Sequence, residues 1–131
     1  MCKVTENEIT GAIIQCAIEV HRALGGPGLL ESMYEEALAW ELQQKGLTVE
    51  RQVCVPVQYK GNALATPLRI DLLVEKQVIV ECKSVVEYNP IFETQALTYL
   101  RVTGLHVALV INFGEATVKE GLHRVINGYR P

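Results

Sequence analysis

Residues 105–113 read Leu-His-Val-Ala-Leu-Val-Ile-Asn-Phe, a near-continuous apolar run of the kind that marks a strand covered on both faces. Such a strand needs a layer of structure on each side of its sheet. A chain of 131 residues is long enough to build one such sandwich around one core. The first layer is legible at the N-terminus. Thr5 and Glu8 form a capping box, and Ile9, Ala12, Ile13, Cys16, Ala17, Val20 and Leu24 fall on one helical stripe. Gly25-Gly26-Pro27-Gly28 ends that helix. The spacing predicts a second helix over 29–45, with Leu30, Met33, Ala37, Leu38 and Leu42 inward and Gly46 as its stop.

After Gly46 the period falls from 3.6 to 2. Val49, Arg51, Val53, Val55, Val57 and Tyr59 alternate with mostly polar residues, and Lys60-Gly61-Asn62 signals a hairpin. Pro56 has no N–H to donate, which places this strand at an edge or gives it a bulge. Strands follow over 68–74 and 78–84, joined by a turn at 75–77. Asn89-Pro90 opens a helix that runs to about Val102 and stops at Gly104. A last short strand is expected over 117–122. The order is ααβββαββ: an α/β fold in which helices flank a mixed β-sheet, read as a single domain over 1–131.

Composition narrows the function classes. Mean hydropathy is +0.16, and charges interrupt every apolar run short of a membrane span. The N-terminus lacks the apolar stretch and cleavage site of a secretory signal. Cysteines 2, 16, 54 and 82 show no metal spacing and read as reduced, buried thiols of a cytoplasmic protein. A net charge of −3 argues against a protein that grips long stretches of nucleic acid. It leaves room for an enzyme that meets phosphates at one metal-loaded point.

The chemistry lies on the central hairpin. If 75–77 is a three-residue loop, Val74 faces Val78, Asp71 faces Glu81, and Arg69 faces Lys83. Alternation then puts Ile70, Leu72, Val74, Val78, Val80 and Cys82 on a core face, and Arg69, Asp71, Leu73, Ile79, Glu81 and Lys83 on the other. Opposed carboxylates repel unless something positive sits between them; Mg²⁺ or Mn²⁺ suits their hard oxygens, with Lys83 aimed at whatever the ion holds. The alternative is a wet sheet end with surface ion pairs, since a Glu-x-Lys triplet arises by chance roughly once in one or two such chains. However, Asp71 is the only aspartate and lies opposite the only Glu-x-Lys. Gln95 and Tyr99, four apart on the next helix, share one face beside it. Glu31, in the first turn of the second helix, is favoured there by the helix dipole whether or not it binds anything. Tyr34 reads as packing, and His21 as a surface or capping residue.

Asp71 followed after a gap by Glu81-Cys82-Lys83 resembles the PD-(D/E)XK nuclease superfamily, and the element order is similar to its restriction-endonuclease-like core. Ile70 stands where the motif's name puts proline. Gln95-x-x-x-Tyr99 is similar to the helix motif of RecB-type members. Gly28-Leu29-Leu30-Glu31-Ser32-Met33-Tyr34 resembles the signature of the GxxExxY proteins, as do His21-Arg22, Arg69-Ile70-Asp71 and Ile111-Asn112-Phe113-Gly114. The resemblance implies a metal-dependent nuclease acting on DNA or RNA with Mg²⁺ or Mn²⁺. Asp71, Glu81 and Lys83 would be catalytic, and Asp71, Glu81, the Cys82 carbonyl and Glu31 would hold metal. Gln95 and Tyr99 would contact substrate. The alternatives are a nuclease-like fold that binds or assembles without turnover, and a hydrolase of small phosphodiesters. A C2 homodimer is the commonest assembly open to such a chain, and no membrane association is expected.

Overall fold

The structure is a computed structural model that describes residues 4–128. Helix α1 spans Glu6–Ala23 and α2 spans Glu31–Gln44. The predicted capping box forms: Glu8 N–H donates to Thr5 Oγ1 at 3.1 Å, and Thr5 N–H donates to Glu8 Oε2 at 3.2 Å. Strand β1 (Val49–Val55) stops just before Pro56. A small separate hairpin follows, β2 (Gln58–Tyr59) and β3 (Asn62–Ala63), turning at Lys60-Gly61 as the sequence signalled. Then come β4 (Leu68–Val74), β5 (Val78–Lys83), α3 (Ile91–Thr103) and β6 (Val107–Asn112). The expected strand over 117–122 is instead a one-turn helix, α4 (Val118–Gly121), and the final strand is β7 (Leu122–Ile126). Thr117 Oγ1 accepts the Glu120 N–H at 3.2 Å and so caps a helical turn, an alternative that short Thr-containing segments readily take over a strand.

Five strands form a mixed sheet in the order β1-β4-β5-β6-β7, with β5 and β6 parallel and the other neighbours antiparallel. β1 is an edge, where Pro56 was expected to leave it. β6 is central in packing: Val107, Leu109 and Ile111 join Ile9, Ile13, Leu38 and Leu42 beneath α1 and α2, while Ala108 and Val110 join Ala96 and Leu100 of α3. The apolar run thus feeds two cores, as a doubly covered strand must.

Two expectations about faces fail. On α2 the inward residues are Tyr34, Glu35, Leu38, Ala39 and Leu42, while Leu30 and Met33 point to solvent. The stripe is rotated because the buried anchor is an aromatic: the Tyr34 ring stacks on Phe113 at 4.6 Å and 4°. On β4, Ile70 packs with the α3 core, not with Leu72 and Val74. Gln52 of β1 adopts a left-handed φ of 52°, and Gln52 and Asp71, which the register would pair, are unpaired. This interruption of the pleat reverses the side-chain alternation, so Val53, Val55 and Ile70 all turn toward α3. His21 is buried, not at the surface, with Nε2 3.0 Å from the Glu115 carbonyl. Among the thiols, Cys16 and Cys82 are buried and Cys54 is exposed, all free, and Cys2 lies outside the described residues. Among those residues no helix is long and apolar enough to cross a membrane.

Candidate active site

The β4–β5 hairpin begins as expected, with Val74 opposite Val78, Leu73 opposite Ile79 and Leu72 opposite Val80. The regular ladder ends there. At the next step the carboxylates take over from the carbonyls: Asp71 N–H donates to Glu81 Oε2 at 2.9 Å, and Cys82 N–H donates to Asp71 Oδ2 at 2.8 Å. Each acid binds the backbone of the opposite strand, which holds both side chains in the gap between strands. Neither forms an ion pair among the described residues. Burial raises the Asp71 carboxyl above its usual range, opposed chiefly by the Cys82 N–H. Burial, reinforced by the negative charge of Asp71, pushes Glu81 up to about 8.

Lys83 follows on β5. Its Nζ lies 4.6 Å from the centre of the Phe92 ring, a cation–π seat at the start of α3, and its charge lowers both carboxyl pKa values. Tyr99 is half-buried. Its hydroxyl is made less acidic by burial and then by the charges of Glu81 and Asp71, so it stands within electrostatic reach of both. Gln95, one turn earlier, is exposed, and its side chain makes no hydrogen bond among the described residues. The Cys82 side chain is buried in the core and its thiol is held well above its ordinary pKa by burial, so only its backbone faces the site.

Glu31 stands at the rim. Its Oε2 accepts the Ser84 N–H at 3.2 Å, and Ser84 Oγ donates to the Leu29 carbonyl at 2.7 Å. Local chemistry explains the Gly28–Tyr34 segment. Gly28 has φ 119°, a conformation L side chains rarely adopt. The Tyr34 hydroxyl donates to the Gly26 carbonyl at 2.7 Å and accepts the Leu29 N–H at 3.2 Å, fixing the turn that delivers Glu31. From the other side, the fully buried Asn112 accepts the Val85 N–H at 3.0 Å and donates to the Val85 carbonyl at 3.1 Å. The chain leaving Lys83 is therefore clamped from α2 and from β6. Small concavities of about 480 and 400 Å³ open along this clamp, the first lined by Leu29, Glu31, Ser32 and Ser84 and the second by Gly28, Val85 and Gly114.

One residue escaped the sequence reading. Glu35 is 4% exposed, accepts from Arg51 and Gln52, and presses on Asp71 more strongly than Glu31 does. The signal was its spacing: Glu31 and Glu35 are four apart, hence on one helical face.

The donor chemistry of the pair suits a hard cation. One oxygen of each carboxylate is spent on a backbone N–H, and Asp71 Oδ1 and Glu81 Oε1 make no hydrogen bond among the described residues. Two desolvated carboxyl groups that oppose each other's ionisation, each with a free oxygen, are the arrangement a divalent ion relieves. Glu31 is not gathered with them: among the described residues no group of three His, Cys, Asp or Glu is disposed to hold a metal ion.

Residues 7–125 match the PD-(D/E)XK nuclease superfamily. The chain belongs to that superfamily. No curated protein and no solved structure matches it. Its mixed five-stranded sheet flanked by helices is consistent with a restriction-endonuclease-like PD-(D/E)XK fold. Membership carries nuclease activity as the family property, with nucleic acid as the substrate class and divalent metals such as Mg²⁺ in general use.

Proposed function

We propose that the protein is a nuclease that hydrolyses phosphodiester bonds of DNA or RNA and depends on Mg²⁺ or Mn²⁺. One observation carries the reading: Asp71 and Glu81 interlock across the end of the β4–β5 ladder with an oxygen free on each among the described residues, and the Lys83 charge acts on both. Asp71, Glu81 and the Cys82 carbonyl would hold the cation. When bound, it supplies Lewis-acid polarisation of a phosphate oxygen and lowers the pKa of water. The chain's own residues do the rest. Their backbone hydrogen bonds hold Asp71 and Glu81 in place, so no reorganisation is needed at the moment of reaction. Lys83 offers its ammonium to the negative charge that grows on phosphorus oxygens during in-line attack by water. Phe92 keeps that ammonium from wandering into solvent. Tyr99 is available to orient a phosphate or a water, and Gln95 to meet substrate from the exposed side of α3.

Glu31 and Tyr34 support the narrower GxxExxY reading, with the tyrosine as a structural clamp and the glutamate at the rim, holding the Ser84 N–H. The Gln95 and Tyr99 spacing supports the RecB-like variant. The free thiols of Cys16, Cys54 and Cys82 suit a reducing compartment such as the cytoplasm. Incubation of labelled single- and double-stranded DNA and RNA with Mn²⁺ tests the proposal. Cleavage that vanishes in chelator and in Asp71→Ala is expected; cleavage that persists in both overturns it.

One observation favours the non-catalytic alternative, namely that Glu31 is turned to the Ser84 N–H and does not complete a three-acid site. Calorimetric titration with Mn²⁺ separates the two readings. Heat from the wild type that is lost in Asp71→Ala supports the nuclease, and no heat from the wild type supports a binding module.

A further inference from the structure

Residues 51–70 contain Arg51, Lys60 and Arg69 and no acidic residue, in a chain with 12 basic and 15 acidic residues overall. The protein is acidic, yet this stretch is purely cationic. It includes the β2–β3 hairpin, and every residue from 58 to 67 is exposed. The hairpin is nonetheless ordered, with Tyr59 opposite Asn62 and the Leu64 N–H donating to the Val57 carbonyl at 2.9 Å. A structured segment whose residues are all exposed is available for contact.

Topology fixes where it is displayed. Val55 pairs with Leu68, so the hairpin leaves the sheet at the N-terminal end of β4. Because β4 and β5 are antiparallel, that is also the end at which β5 delivers Glu81 and Lys83. Leu68 is three residues before Asp71, about 10 Å along an extended strand. On the arm, Tyr59 is 57% exposed, and Lys60 Nζ lies 5.5 Å from the centre of its ring. Arg69, between arm and site, is exposed and makes no ion pair among the described residues. Arg51 is already spent on Glu35.

We infer that the β2–β3 arm holds a single-stranded part of the substrate, an unpaired base stacking on Tyr59 while Lys60 and Arg69 meet its phosphates. The inference rests on the nuclease reading and adds a substrate class to it. An aromatic face beside cations is the arrangement by which single strands are held with little sequence preference. The bases of a duplex are stacked on one another and offer no such face. Two available cations are also too few to neutralise a duplex against a net charge of −3.

Fluorescence anisotropy with a labelled oligothymidylate, in chelator so that nothing is cleaved, tests the arm. The wild type is expected to bind the single strand more tightly than the oligothymidylate–oligoadenylate duplex. Tyr59→Ala should weaken binding about ten-fold or more, and Tyr59→Phe should retain it, since stacking needs the ring. Lys60→Ala and Arg69→Ala should each lower the slope of log affinity against log salt by about 0.7. An unchanged melting temperature excludes unfolding as the cause. No binding by the wild type, no preference for single strands, or equal affinity in Tyr59→Ala overturns the inference. Hydrolysis of bis(p-nitrophenyl) phosphate by the wild type, a substrate too small to reach the arm, reports on the nuclease reading alone. Its absence, together with absence of oligonucleotide cleavage in Mn²⁺, would overturn that reading and leave the binding result standing.

Discussion

Glu35 on α2 and Glu81 on β5 are shielded from water almost equally, at 4% and 6% exposure. Glu35 is answered by the Arg51 guanidinium, with Nη2 at 3.1 Å and Nε at 3.2 Å, and by the Gln52 amide at 2.7 Å. Glu81 is answered by one backbone N–H and faced by a second carboxylate. A buried acid with a paired cation is costly to break, because losing the partner strands its charge. A buried acid left beside another acid is a destabilising arrangement, and chains keep such arrangements where they work. The contrast teaches that burial alone does not mark a site; the partner does.

The largest effect expected of this contrast is on activity. Asp71→Ala, Glu81→Ala and Lys83→Ala should each reduce Mn²⁺-dependent oligonucleotide cleavage by about a thousand-fold or more, while melting temperatures of the two acid variants stay level or rise. A variant that loses activity only by unfolding would erase the distinction between the two glutamates.

Next in size is pH. The Glu81 pKa is raised in the folded state from 4.5 to about 8, so the native protein holds a proton that the unfolded chain releases. Its stabilising contribution is full below about pH 4.5 and is lost as pH rises through 8. The metal-free protein should therefore lose on the order of a few kcal/mol between those limits, read as a falling melting temperature. Glu81→Gln should flatten the curve. Ion binding below pH 8 should also release protons, visible in calorimetry as a dependence of heat on buffer ionisation enthalpy.

Arg51→Ala should have the opposite character, lowering stability in urea by about 2 kcal/mol. It strands a buried carboxylate, though the guanidinium is partly exposed and Gln52 still holds the other oxygen. Catalysis by the remaining folded protein should change little by comparison. The smallest effect belongs to Phe92→Ala, which removes the ring beneath Lys83; a few-fold fall in kcat is expected, from about 1 kcal/mol of cation–π seating. Phe92→Trp should restore it and Phe92→Leu should not.

The hairpin register was readable from sequence because a short polar turn, Glu75-Lys76-Gln77, sits between two alternating apolar runs and leaves few ways to pair them. Gly46, Pro56 and Gly104 marked element ends through backbone chemistry that tertiary contacts cannot override. Ile70 departs from its expected face for a different reason. The left-handed turn at Gln52 lies on another strand, and no feature of 68–74 itself announces it. Met33 was assigned inward on hydrophobicity, whereas the ring geometry of Tyr34 against Phe113 sets the rotation of α2. Glu35 was hidden because its partner, Arg51, is separated from it by a change of secondary structure. Asp71 and Glu81 were legible as a pair, but their exchange of backbone N–H bonds was not, since it depends on where the ladder stops.

The rim of the site has a further consequence. Tyr34 of α2 holds the turn that carries Glu31, leans on Phe113 beyond β6, and Asn112 fastens the residue after Ser84. These groups lie almost 80 positions apart along the chain and meet only when the last parallel strand has docked. No nascent chain that still lacks β6 can shape this entrance, so a ribosome-bound fragment carrying Asp71, Glu81 and Lys83 should leave nearby nucleic acid uncut until the fold is complete.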